Sequence, residues 1–170
     1  MICNVKNKKL TLAGIFIAMG VILSTVIVIP VGIAKCAPVQ HLINVLSAVI
    51  LGPFYGVAIA FLTSTIRVLI GTGTFLAFPG SMCGALLAGI LYKYNKKITM
   101  VSIGEIFGTG VIGALIAYPV AKFILSKEAA LWGFVVPFSI SSIGGTLIAI
   151  LFLIALKKTG VLDKVSNEGN

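Results

Sequence analysis

Residues 10–34 read LTLAGIFIAMGVILSTVIVIPVGIA, a run without a single charged side chain. Three more uncharged runs follow, Cys36–Ile66, Val68–Tyr92 and Ala129–Leu156. A helix of a water-soluble protein is rarely apolar all round for so long. A hydrocarbon layer about 30 Å thick needs roughly 20 apolar residues per helix to cross it. Backbone groups in lipid must bond internally, which leaves helices or a closed barrel. Barrel strands alternate apolar and polar residues, and these runs do not. The expectation is therefore an all-α integral membrane bundle.

Composition agrees. The chain has 170 residues, 59% apolar and 10% charged, which fits a single transmembrane domain over residues 1–170 with no soluble module. Its net charge of +9 does not suggest a nucleic-acid partner, because the basic residues form no stripe interleaved with aromatics. They cluster as Lys6, Lys8 and Lys9, as Lys93, Lys96 and Lys97, and as Lys157, Lys158 and Lys164. Clusters at the ends of apolar runs mark cytoplasmic loops. The first run is longer than a signal-peptide core of about 7–15 residues and is read as a retained helix.

Breakers divide the runs into six helices, near 10–29, 40–52, 54–70, 80–92, 98–125 and 136–156. Pro30 ends the first, Gly52-Pro53 parts the second from the third, and Gly71–Pro79 is too glycine-rich to continue a helix. Pro119 is a candidate bend in the fifth. Six crossings put both termini on the side of the lysine clusters, the cytoplasmic side of the cell membrane. Small residues recur every four positions: Gly14 and Ala18; Gly56, Ala60 and Ser64; Gly80, Gly84 and Ala88; Ser141, Gly145 and Ala149. Such stripes let apolar helices approach closely. Most suit internal packing, and the first suits a partner helix as well.

Function must lie in the few polar groups inside these runs. Arg67, near the end of the third helix, either snorkels to water or turns inward to hold an acidic ligand group or the 71–79 loop. Gln40, His41 and Asn44 share the start of the second helix below Lys35. They form either an interface cluster or the wall of a shallow outward pocket. Glu105 is the one acidic residue inside an expected span. It is read as reaching the inner interface, with proton transfer as the alternative. Tyr118, Trp132, Phe138, Ser139, Ser141 and Ser142 fall at the ends of the last two helices. They suit a membrane interface, and equally a flat ring stacked on aromatics and fixed by hydroxyls. Cys3, Cys36 and Cys83 lack metal-ligand spacing, and a Cys36–Cys83 disulfide stays open. There is no phosphate-binding loop, no His-Glu-x-x-His zinc motif and no serine elbow. No enzyme activity, cofactor or metal is expected.

Lys35-Cys-Ala-Pro-Val-Gln-His41, Asn44-Val-Leu-Ser-Ala48, Leu51-Gly-Pro53, Arg67, Gly71-Thr-Gly73 and Ala77-Phe-Pro-Gly-Ser81 together resemble the ThiW family. Its members are substrate-binding S components of energy-coupling factor transporters, associated with the thiazole precursor of thiamine. After about Lys93 the likeness is mainly one of hydropathy. The resemblance implies a six-helix protein that captures a vitamin-type substrate from outside. It then docks through small residues of its first helix, here Gly14 and Ala18, on a transmembrane T component driven by two ATPase subunits. Family members often carry two alanines there, so Gly14 departs from the pattern. Substrate contacts are expected from Lys35, Gln40, His41, Asn44, Arg67, Thr72 and Ser81, with Phe78, Tyr118, Trp132 and Ser139 around the ring. Hydroxyethylthiazole is neutral, whereas Lys35, His41 and Arg67 suit an anion such as its phosphate. The alternative is a small secondary transporter using Glu105 for proton coupling.

Overall fold

The computed structural model describes residues 2–31, 34–128, 130–160 and 162; the side chains of residues 2–4, 30, 31, 34 and 35 lie outside that description. Among the described residues six helices follow one another: α1 Ile2–Val26, α2 Pro38–Leu51, α3 Pro53–Leu69, α4 Ala77–Asn95, α5 Ile98–Ile124 and α6 Val135–Lys158. A two-stranded antiparallel hairpin, β1 Ile29–Val31 and β2 Ala34–Cys36, joins α1 to α2.

Local chemistry explains where the boundaries differ from those expected. α1 stops at Val26 rather than near Ile29, because the β-branched run Thr25-Val-Ile-Val-Ile29 favours extended backbone. The expected loop after it is this hairpin, in which Pro30 faces Lys35. α4 begins at Ala77, three residues before Gly80, with Pro79 in its first turn. A first-turn proline sacrifices no helical bond, since those N–H groups have no partner within the helix. Gly52 takes φ +89°, which only glycine adopts freely, and Pro53 then starts α3.

By length and apolarity three helices can cross a membrane, within Val5–Val26, Ile98–Ile124 and Val135–Lys158. Helices α2 and α3, with 14 and 17 residues, are shorter. The chain is a multi-pass membrane protein in its surface as well as in its sequence. Leu10, Phe54, Leu69, Phe123 and Leu151 are exposed, whereas Gln40, Asn44, Ser64, Arg67, Glu105 and Thr109 are buried. Water would favour the reverse; a hydrocarbon surround explains it.

The short α2 is the hub and touches all five other helices. α5 packs on α4 through a glycine seam. A Cβ on Gly104 would lie 2.7 Å from Ala88 Cα, and one on Gly113 would lie 2.7 Å from Gly80 Cα. Close approach across small residues replaces the hydrophobic drive that lipid removes. Gly104 and Gly108 are four apart, but Gly113 comes five later. A π-helical turn over Gly108–Gly113 absorbs the extra residue and keeps the glycines on one face. A second π turn, Val120–Ile124, follows Pro119.

The two ends of the bundle differ. At one, Lys9 of α1, Lys93 of α4 and Lys96 just after α4 line a concavity of about 330 Å³ around the Gly52-Pro53 turn. Lys157 and Lys158 of α6 lie toward this end, below Leu153, which joins the same core cluster as Leu51 and Tyr92. Lys164 of the third expected cluster lies outside the described residues. At the other end, α2, α4 and α6 begin and α3 finishes.

Candidate functional site

At the end where α2, α4 and α6 begin, a cavity of about 40 Å³ lies under β2 and the 71–76 loop. Its wall combines Gln40, His41, Arg67, Ser81, Thr109 and Ser141 with Cys36, Ala37, Gly73, Thr74, Leu76, Ala77, Gly80, Pro137 and Phe138. The loop is anchored by the last turn of α3. Arg67 O accepts the N–H of Thr72 at 2.9 Å and that of Gly73 at 2.8 Å.

Arg67 does not snorkel. It is only 2% exposed and donates from Nη1 to Gln40 Oε1. From there a directed chain of hydrogen bonds crosses three helices. Gln40 Nε2 donates to Ser64 Oγ at 2.8 Å, and Ser64 Oγ lies 3.1 Å from Ser81 Oγ. Ser81 Oγ donates to Ala77 O at 2.7 Å, which makes Ser64 the donor to Ser81. Each donor along such a chain polarises the next.

A second cluster sits one side chain deeper. Glu105, expected near the inner interface, is instead fully buried at the centre of the bundle. Its Oε1 lies 2.7 Å from His41 Nδ1 and accepts Asn44 Nδ2 at 3.0 Å and Thr109 Oγ1 at 3.2 Å. Asn44 Nδ2 also reaches Ser81 O at 3.0 Å, and Thr109 Oγ1 reaches Gly80 O at 3.1 Å. The two clusters therefore meet at the start of α4. A carboxylate at Nδ1 fixes the imidazole tautomer and leaves Nε2 as the ring's other polar atom.

Two glycines make this possible. A Cβ on Gly84 would lie 2.2 Å from Thr109 Oγ1 and 2.8 Å from Glu105 Oε1. A Cβ on Gly145 would lie 2.1 Å from Pro38 O and 2.7 Å from His41 Cβ. Several buried polar atoms nonetheless lack a partner: Arg67 Nε, Asn44 Oδ1, Glu105 Oε2 and Ser141 Oγ. Buried polar groups are usually satisfied, so a cluster of orphans beside a cavity marks a place for something else to bind.

Of the residues singled out from sequence, Gln40, His41, Arg67 and Ser81 come together at the cavity wall, with Asn44 behind them. The Lys35 backbone is in the hairpin, and its side chain lies outside the described residues. Thr72 Oγ1 meets Arg67 O and Thr25 Oγ1, each at 3.3 Å. Phe78 packs against Phe61 and Phe75. Tyr118 lies under Lys122, and Trp132 is 63% exposed. Ser139 faces α5 at Gly110. None of these last five lines the cavity. On α6 the cavity is lined by Phe138 and Ser141, both also singled out from sequence, rather than by Ser139. Thr109, one turn beyond Glu105, and Ser64, three residues before Arg67, were legible only as same-face neighbours of those charges. Cys36 and Cys83 are both free thiols, and Cys36 Sγ donates to Pro137 O at 3.1 Å.

A family model described as "Thiamine-precursor transporter protein (ThiW)" covers residues 10–159. No curated protein matches, and no solved structure does.

Proposed function

Because the chain belongs to the ThiW family of thiamine-precursor transporter proteins, we propose that it is the substrate-capture S component of an energy-coupling factor transporter. Its substrate would be the thiazole precursor, hydroxyethylthiazole or a close relative. One observation carries this reading. Two buried polar clusters converge on a single cavity at the end of the bundle opposite Lys9, Lys93 and Lys96. With those lysines in the cytoplasm, all six helices cross the cell membrane, both termini are internal and the cavity opens outward.

The cavity, with about 40 Å³ of water-accessible space, is roofed by the 71–76 loop and the Cys36–Ala37 segment. A substrate would enter past these two segments and meet Gln40, His41, Arg67 and Ser141 on the wall. Gly14 and Ala18 support the docking role assigned to α1. Both are exposed, and a Cβ on Gly14 would meet nothing within 4 Å. That open stripe suits a T-component helix, with two ATPase subunits supplying the energy.

The test uses purified protein and its reconstituted vesicles. Protein alone should bind hydroxyethylthiazole, and uptake should require the ATPase-driven partner. A second reading draws on the buried Glu105–His41 pair, which has the composition of a proton relay. It makes the chain a secondary transporter, and it predicts uptake by the protein alone, driven by a proton gradient and abolished by Glu105→Gln.

A further inference from the structure

We propose that the cavity binds an oxyanion, a carboxylate or a phosphate carried by the heterocyclic substrate, with Arg67 as its counter-ion. The inference rests on the substrate-capture reading and specifies the charge of what is captured.

Arg67 supplies the first argument. Its guanidinium is buried, its hydrogen-bond partner Gln40 is neutral, and its Nε has none. Among the described residues the carboxyl group inside the bundle, Glu105, contacts His41 rather than Arg67, which leaves Arg67 without a carboxylate. Burying a cation without an opposite charge is costly, and a ligand that brings the charge relieves that cost. Glu105 does not fill the role. Its Oε1 is held by His41, Asn44 and Thr109, and it stands behind His41 rather than on the cavity wall.

The helix ends supply a second argument. α2, α4 and α6 all begin at this cavity, through Ala37, Ala77 and Pro137. None has a side-chain cap or an acidic residue in its first turn. Helix starts carry partial positive charge, so three of them without an acidic residue add to the positive potential around the buried arginine. Ser141 adds a third element. The residue is 3% exposed and lines the same wall, and its hydroxyl lacks a partner. The oxyanion head would sit at Arg67 and Ser141, with the ring that bears it beyond them. Leu76 and Phe138 provide apolar wall for that ring.

The experiment compares three probes on the purified full chain by calorimetry: hydroxyethylthiazole, its phosphate monoester, and the matching thiazole acetate. At least one acid should bind about tenfold or more tighter than the alcohol, since charge-assisted pairs are the strong ones. The tighter acid then identifies the group as phosphate or carboxylate. Arg67→Gln should collapse the ratio between acid and alcohol. Ser141→Ala, which breaks no existing bond and should fold, should weaken the acid severalfold more than the alcohol. Equal binding of alcohol and acids, or a preference that survives Arg67→Gln, overturns the oxyanion and leaves substrate capture standing. No binding of any of the three overturns both. If Arg67→Gln does not fold, the wild-type ratio and Ser141→Ala still decide.

Discussion

Helices α1 and α2 are neighbours in sequence and both strongly apolar, yet the bundle uses them in opposite ways. α1 is long and peripheral, packed on α2 and α3, with only 22% of its spanning window buried. α2 has 14 residues and nearly all of them are buried. The difference lies in what each carries. α2 brings Gln40, His41 and Asn44 into the interior, where other helices supply partners, and Ser47, which donates back to Asn44 O. The lipid-facing side of α1 shows Leu10, Ile15, Ile22 and Val26. In a membrane, apolar character does not tell core from surface; polar residues and close-packed glycines do.

The contrast is broken most severely at α2's closest contact. Gly145→Leu would drive a side chain into Pro38 O and the backbone N of Leu42, 2.1 and 2.9 Å from the new Cβ. Backbone cannot step aside as a flexible side chain can, so the loss should exceed the usual overpacking cost of about 1–3 kcal/mol. Unfolding followed in detergent should show it, along with loss of any bound ligand. An unchanged midpoint would mean that α2 and α6 are not packed as described.

Next comes the charge beneath the cavity. Glu105→Ala strips His41, Asn44 and Thr109 of their shared acceptor. Breaking a buried pair from one side costs about 3–5 kcal/mol. Glu105→Gln keeps an acceptor oxygen and should cost clearly less under the same denaturant titration. Equal losses would show that charge, rather than hydrogen bonding, holds α2 against α5.

Much of this was legible in the sequence. Gln40, His41, Arg67 and Ser81 stood out because polar residues in an apolar run need a reason, and the fold brings them to one cavity. Glu105 was visible as a residue and not as a partner of His41. Its depth depends on Gly84 leaving room and on a π turn that no hydropathy pattern announces. On α6 the choice between Ser139 and Ser141 depends on helix rotation. The stripe of Ser141, Gly145 and Ala149 marked the packed face, but the apolar residues all round gave no reason to exclude Trp132 and Ser139. The hairpin was read as a loop, because a three-residue strand is too short to show alternation.

The smallest effect on stability, and the most informative about α1, is expected from Gly14→Leu. Nothing lies within 4 Å of the new Cβ, so stability should stay within about ±0.5 kcal/mol of wild type. Substrate binding should persist, while uptake with the ATPase-driven partner should fall, because the leucine blocks the close approach that a glycine–alanine stripe allows. Gly20, on the inward face of the same helix, is the control. A Cβ there would sit 3.0 Å from Thr63 Cγ2, so Gly20→Leu should lower the unfolding midpoint whether or not a partner is present. If Gly14→Leu also unfolds the protein, its face of α1 packs internally. If it folds, binds and transports normally, the partner docks elsewhere, and α1 is distinguished from α2 only by the lipid it faces.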